Sequence, residues 1–228
     1  MPSVPTLLGF SAAALLLLVI PGPSVLYIVT RSVAQGRTAG LVSMLGVHVG
    51  SMVHVAAAVL GISAVLASSA TAFTIVKYAG AAYLVWLGIS QFRSKPGKDP
   101  VAVATEPAKV PSPGRDASRE SAPSYSRRRL FTQGVVVNVL NPKTAIFFLA
   151  FLPQFVDPSR GPVTLQLAIF GVLFILLGIV SDGAYALTAG TVAAPLLRSV
   201  RSRRRLSRTS GAIYLGMGVT AALAREAT

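Results

Sequence analysis

Asp182 is where chemistry is first to be expected in this chain, because it is the only carboxylate well inside a long apolar run, Thr164 to about Val192. A carboxylate there is costly in lipid and faces the interior of the molecule. It can hold an ammonium group, or bind and release a proton. Lys143, inside the run from Leu130 to Phe155, is the matching cation. The two could instead neutralise each other as a structural salt bridge, or Lys143 could snorkel to an interface. His54 lies on the small-residue face Gly46-x-x-x-Gly50-x-x-x-His54-x-x-x-Ala58. It is a candidate proton carrier, although a hydrogen-bonded helix contact suits a lone histidine equally well. His48 points to another face of the same segment and is read as a bystander.

Two proline motifs accompany these groups: Pro21-Gly22-Pro23 in one apolar run and Asn141-Pro142-Lys143 in another. Proline removes a backbone donor and clashes with the preceding turn, so each motif should break or kink its helix. A broken helix leaves a half-helix N-terminus inside the membrane, whose free N–H groups and positive dipole end suit a carboxylate. A plain proline kink is the simpler reading of either motif alone. The candidate substrate-binding set is therefore Pro21, Gly22, Pro23, Asn141, Pro142, Lys143 and Asp182, with Asp182 and His54 as proton-coupling candidates. Asn138, Tyr83, Tyr185 and Tyr214 could add polar contacts.

The elements that must position these residues are transmembrane helices. The chain of 228 residues is 53% hydrophobic and only 12% charged, and a soluble domain carries about twice that charged fraction. A span needs roughly 20 apolar residues. Six segments qualify: Leu7 to Thr30, two within Thr38 to Phe92 divided at Ser68-Ser69-Ala70-Thr71, Leu130 to Phe155, Thr164 to about Val192, and the short Thr209 to Ala224. Leu15 to Leu18 resembles a signal-peptide core, but no Lys or Arg precedes it and no cleavage pattern closes it, so it is read as a spanning helix.

With six spans, all but four of the 21 Lys and Arg fall in the loops of one face: Arg31 and Arg37, nine residues from Arg93 to Arg129, and six from Arg198 to Arg208. The positive-inside bias makes that face cytoplasmic and puts both termini outside. Residues 93–129 carry Pro96, Pro100, Pro107, Pro111, Pro113 and Pro123 with almost no large apolar residue. They are expected to be a disordered basic cytoplasmic linker between a first three-helix repeat, 1–92, and a second, 130–228. Arg127-Arg128-Arg129 serves there as a topology signal, or as a contact to anionic lipid.

The halves match weakly and in order. Pro21-Gly22-Pro23-Ser24 falls opposite Asn141-Pro142-Lys143-Thr144, Gly50/His54/Ala58 opposite Gly178/Asp182/Ala186, and Gly80-Ala81-Ala82-Tyr83-Leu84 opposite Gly211-Ala212-Ile213-Tyr214-Leu215, with Lys77 opposite Arg208. Three spans per copy turn the second copy upside down. The expected fold is thus all-α and polytopic, six transmembrane helices as two inverted three-helix repeats, with a substrate site at the repeat interface near the midplane.

Taken in order, Pro21-Gly22-Pro23, the Gly46/Gly50/His54 helix, Tyr78-x-Gly80-x-x-Tyr83-Leu84 followed by Gly88, Asn141-Pro142-Lys143, Phe151-Leu152-Pro153-Gln154-Phe155, Asp182-x-x-Tyr185 and Gly211-x-x-Tyr214-x-Gly216-x-Gly218 resemble the LysE/RhtB family of bacterial amino-acid exporters. The resemblance covers nearly the whole chain outside 93–129, although that linker is longer than the family leads one to expect. It implies efflux of amino acids such as homoserine, threonine, lysine or leucine across the bacterial inner membrane, in exchange for protons.

The expected function is a secondary transporter whose partners are a small amino-acid-like substrate, protons and membrane lipid. Assembly into a homo-oligomer is left open, and nucleic acid and cofactors are not expected. The alternatives are a non-transporting assembly subunit, for which kinks and small-residue stripes would suffice, and a membrane-embedded enzyme. An enzyme would need a nucleophile-base set or a metal triad, and the chain has two histidines, seven acidic residues and no cysteine. Nor does it carry a nucleotide-binding motif, so pumping would have to draw on an ion gradient.

Overall fold

The computed structural model describes residues 1–69 and 126–193, with helical positions at 71, 74–75, 78–79, 81–82, 85–86 and 89 and at 208–209, 211–212, 215–216 and 219. Lys77, Tyr83, Tyr214, residues 93–125 of the linker and most of the third and sixth expected spans lie outside the described residues. Those described are all helical or connecting chain.

Helix α1 runs Val4–Val19, opened by Ser3, whose hydroxyl accepts from the Thr6 N–H. It ends because Ile20 and Gly22 each precede a proline, and the residue before proline is driven out of the helical region; Ile20 sits at φ −74°, ψ 119° and Gly22 at φ −124°, ψ −170°. Helix α2, Pro23–Gln35, restarts with Pro23 in its first turn, where the missing N–H costs nothing. The pair bends by 53°. Gly36, at φ 87°, turns the chain into α3, Arg37–Ser68, whose end falls at the polar break read in the sequence.

The second broken pair repeats the first. Helix α4, Arg127–Val139, is capped by Ser126, so Arg127, Arg128 and Arg129 form its first turn and the linker gives way to helix three residues earlier than expected. Asn141, extended before Pro142, interrupts it; α5, Pro142–Ile146, continues as a π-helical turn, Phe147–Phe151, and a 3-10 turn, Leu152–Phe155, at 48° to α4. Helix α6, Val163–Thr188, extends through a second π turn, Ala189–Ala193. Among the described residues, two helices are long and apolar enough to cross a membrane, or up to four spans if each bent pair counts as one.

Glycines determine how the helices lie. A Cβ on Gly46 would strike the Phe131 carbonyl, one on Gly50 the Val135 carbonyl, and one on Gly134 the Ser43 carbonyl, so α3 and α4 touch backbone to backbone. Small residues permit such approach in lipid. The pairing rises together along both chains, so α3 and α4 run parallel. Gly171 takes the Val55 side chain and Gly178 the His48 ring, a descending register that makes α6 antiparallel to α3. Ser63 and Thr164 meet at the far end, 3.3 Å apart. The Met1 amine donates to the Arg160 carbonyl, which puts the N-terminus at that far end, opposite Arg37 and Arg127.

Toward that end α1, the segment after Pro142 and α6 enclose a cluster of phenylalanines, Phe10, Phe147, Phe148, Phe151, Phe155, Phe170 and Phe174, with ring centroids 4.8 to 6.0 Å apart. The outer helix faces carry Leu16, Leu60, Leu176 and Val180, the last with 72% of its surface exposed, as lipid-facing helices do.

Candidate functional site

The two helix breaks lie side by side. Ser24, in the first turn of α2, accepts from Asn141 Nδ2 at 2.9 Å and donates to Asn138 Oδ1 at 3.0 Å. Asn141 also caps α5, its Oδ1 accepting from the Lys143 N–H at 3.0 Å. Asn138 is the hub: Nδ2 donates to the Val47 carbonyl and to Ser51 Oγ, while Oδ1 accepts from Ser24 and from Thr144 Oγ1. This buried amide thus makes the four hydrogen bonds its chemistry allows, tying α2, α3, α4 and α5 together.

Lys143 reaches across from α5 to the end of α1. Its Nζ donates to the Leu17 carbonyl at 2.6 Å and the Ile20 carbonyl at 2.5 Å, at the end of α1 where helical partners run out and Leu17 keeps only the capping Ile20 N–H at 3.3 Å. Its stem passes over Gly22, where a Cβ would come within 3.1 Å of Lys143 Cδ. The Tyr185 hydroxyl donates to the neighbouring Val19 carbonyl at 2.6 Å. A cation at the negative end of the α1 dipole is electrostatically well placed.

Asp182, 3% exposed, meets His48, 4% exposed, with Oδ2 at 3.3 Å from Nε2. The ring fits only because residue 178 is glycine: a Cβ there would lie 2.5 Å from His48 Cε1. The pair is close enough for an ion pair but not aligned as a hydrogen bond, and Asp182 Oδ1 and His48 Nδ1 are buried without partners. Such groups are costly to leave unpaired, and both residues line one small cavity with Ser24, Asn138, Lys143 and Phe174. Its free volume is about 30 Å³, room for a water or two and too little for an amino acid.

The structure brings together Gly22, Asn141, Lys143 and Asp182 around this cavity, with Pro21, Pro23 and Pro142 supplying the breaks beside it. It narrows the sequence reading at two points, the contact made by His54 and the partner of Lys143, and adds a third, the placement of His48. His48, read as a bystander, is the histidine that lies against Asp182. His54 instead faces α4, donating from Nε2 to the Asn138 carbonyl at 2.9 Å and stacking near Phe148. Lys143 is held by α1 carbonyls, and among the described residues it forms no salt bridge with Asp182. Of the residues overlooked, Ser24, Ser51 and Thr144 gave little sign, whereas Gly178-x-x-x-Asp182 did mark a notch for a partner ring.

Among the described residues no group of three or more His, Cys, Asp or Glu could hold a metal.

The family model described as LysE type translocator matches residues 15–225. The chain is 31% identical over 212 residues to a homoserine/homoserine lactone efflux protein of Salmonella typhimurium, covering 93% of each chain. It is 27% identical over 224 residues to a leucine efflux protein of Klebsiella pneumoniae, covering 97% of this chain and 94% of that one. It is 28% identical over 221 residues to an uncharacterized membrane protein of Vibrio cholerae, covering 96% and 97%. No solved structure matches it.

Proposed function

The chain belongs to the LysE type translocator family, and from that premise we propose that it exports amino acids or related small metabolites across the bacterial inner membrane in exchange for protons. It is a membrane protein, and its efflux relatives make a translocator role the working one rather than catalysis. Homoserine and leucine, named by those relatives, set the size range of the substrate: a small zwitterion with a short side chain.

The observation that carries the reading is the buried Asp182 carboxylate, with one oxygen unpartnered, at the cavity where both helix breaks meet. A zwitterion at that place would put its ammonium on Asp182. Its carboxylate would take the first turn of α2, where no side chain caps the helix and the backbone N–H of Ser24 follows Gly22 and Pro23. Lys143 adds positive charge beside that end, while Leu17 and Phe174 offer an apolar wall.

Six spans in two inverted repeats are the architecture we adopt. The parallel course of α3 and α4 supports it, because it calls for one crossing between them. Arg37 and Arg127 at one end and Met1 at the other support a cytoplasmic linker and outer termini. Arg127, Arg128 and Arg129 would then meet cytoplasmic headgroups.

The test is Asp182→Asn, which keeps the shape and removes the charge. Its expected result is normal membrane abundance with gradient-driven efflux of labelled homoserine and leucine abolished. Wild-type efflux with wild-type pH dependence in that variant would make Asp182 structural and end the assignment.

A further inference from the structure

We propose that His48 and Asp182 together form the coupling site, one negative charge that a proton and the substrate ammonium occupy in turn. This deepens the exporter reading and rests on it. Three observations carry it. Asp182 Oδ2 faces His48 Nε2 at 3.3 Å without a locked hydrogen bond. Asp182 Oδ1 and His48 Nδ1 are unpartnered although buried. Gly178, one turn from Asp182, is hollowed to receive the ring.

The surrounding charges leave this site to the pair. Lys143, from α5, lines the same cavity and its charge reaches Asp182, but its ammonium is held by the Leu17 and Ile20 carbonyls and, among the described residues, forms no salt bridge with the carboxylate. Tyr185, on α6, gives its hydroxyl to Val19. On α2, Tyr27 donates to the Leu130 carbonyl and Arg31 to Gln133. His54, on α3 with His48, is turned to Asn138. Leu17 and Leu18 of α1 and Asn138 of α4 bring no charge to the cavity.

With neutral imidazole and ionised carboxylate the pair carries one negative charge, and with the Lys143 ammonium held at the end of α1 the carboxylate keeps room for one cation in direct contact. Binding a proton forms one new N–H or O–H bond and brings the pair to zero net charge. Substrate ammonium achieves the same neutrality by contact with the carboxylate, so the two occupants exclude each other. One proton enters for each substrate that leaves. Imidazole contributes a second place for the proton beside the carboxylate, since Nε2 faces Oδ2 and Nδ1 is buried without a partner.

The experiment uses the full chain in proteoliposomes with labelled homoserine and labelled leucine. Efflux driven by a pH gradient and exchange without a gradient are measured from about pH 5.5 to 8.5, spanning imidazole titration. In His48→Gln the ratio of gradient-driven efflux to exchange should fall roughly tenfold and lose its pH dependence. Gly178→Ala, which displaces the ring and keeps the histidine, should lower the ratio in the same direction. A third measurement needs no variant: wild-type protein in weakly buffered detergent near pH 6.5 should release protons when homoserine or leucine binds. A wild-type ratio and pH profile in His48→Gln, or substrate binding without proton release, would overturn the coupling assignment and leave the exporter reading standing. Wild-type protein that neither exchanges nor exports either amino acid would sink the exporter reading itself.

Discussion

The ammonium of Lys143 lies 2.5 Å from the carbonyl oxygen of Ile20, so a side chain from the second helix break closes the end of the helix broken by the first. The Leu17 carbonyl shares the same ammonium at 2.6 Å. The two breaks are therefore one mechanical unit. Hydrogen bonds to charged groups contribute about 1.5–3 kcal/mol each, and Lys143→Met removes two of them, leaving the Leu17 carbonyl with the Ile20 N–H alone and taking the ammonium from the Ile20 carbonyl. We expect that variant to lose about 3–6 kcal/mol of stability, read as a lower unfolding temperature in detergent, together with its efflux. An unchanged unfolding temperature with lost efflux would instead mark Lys143 as a substrate contact only.

Asn138 gives a second, purely structural expectation. In membrane proteins an interhelical hydrogen bond averages about 0.6 kcal/mol, so four of them amount to about 2–3 kcal/mol. Asn138→Leu removes that set and leaves Ser24, Ser51 and Thr144 each short of a partner. Asn138→Asp should be worse, because an oxygen would then face the Val47 carbonyl now 2.9 Å from Nδ2. Thermal unfolding of the two variants side by side checks both the size and the order.

The prolines of the first break can be tested as a pair. With Pro21 and Pro23 both changed to Ala, neither Ile20 nor Gly22 is still forced out of the helical region. A continuous helix would close the uncapped turn at Ser24 and draw the Leu17 and Ile20 carbonyls away from Lys143. Insertion should persist and transport should fall; normal efflux from the double variant would remove the half-helix argument.

Orientation is checked with reporters. A reporter active only in the periplasm should be active when fused after Thr228 and inactive when placed between 93 and 125. The opposite pattern would exclude the six-span arrangement.

Much of this was legible from the chain alone, and for local reasons. The breaks at Pro21-Gly22-Pro23 and Pro142 follow from proline sterics acting on the residue before, whatever surrounds it. The end of α3 at Ser68 and the start of α6 at Val163 follow from where long apolar runs stop. The burial of Asp182 follows from the cost of placing a carboxylate in such a run.

What the chain did not settle is which face of α3 meets which neighbour. Gly46, Gly50 and His54 recur every four residues and share one face, and the glycines invite any close partner. Tertiary packing gives that face to α4, where Gly46 and Gly50 meet the Phe131 and Val135 carbonyls and His54 is carried onto Asn138. His48, six residues from His54, is rotated roughly 240° away at about 100° per residue, and that rotation brings it onto α6 at Gly178 and Asp182. Sequence periodicity shows that the two histidines lie on different faces of α3. Only the packed bundle decides that His48 is the one beside Asp182, because helix rotation and crossing depend on backbone contacts between segments far apart in the chain.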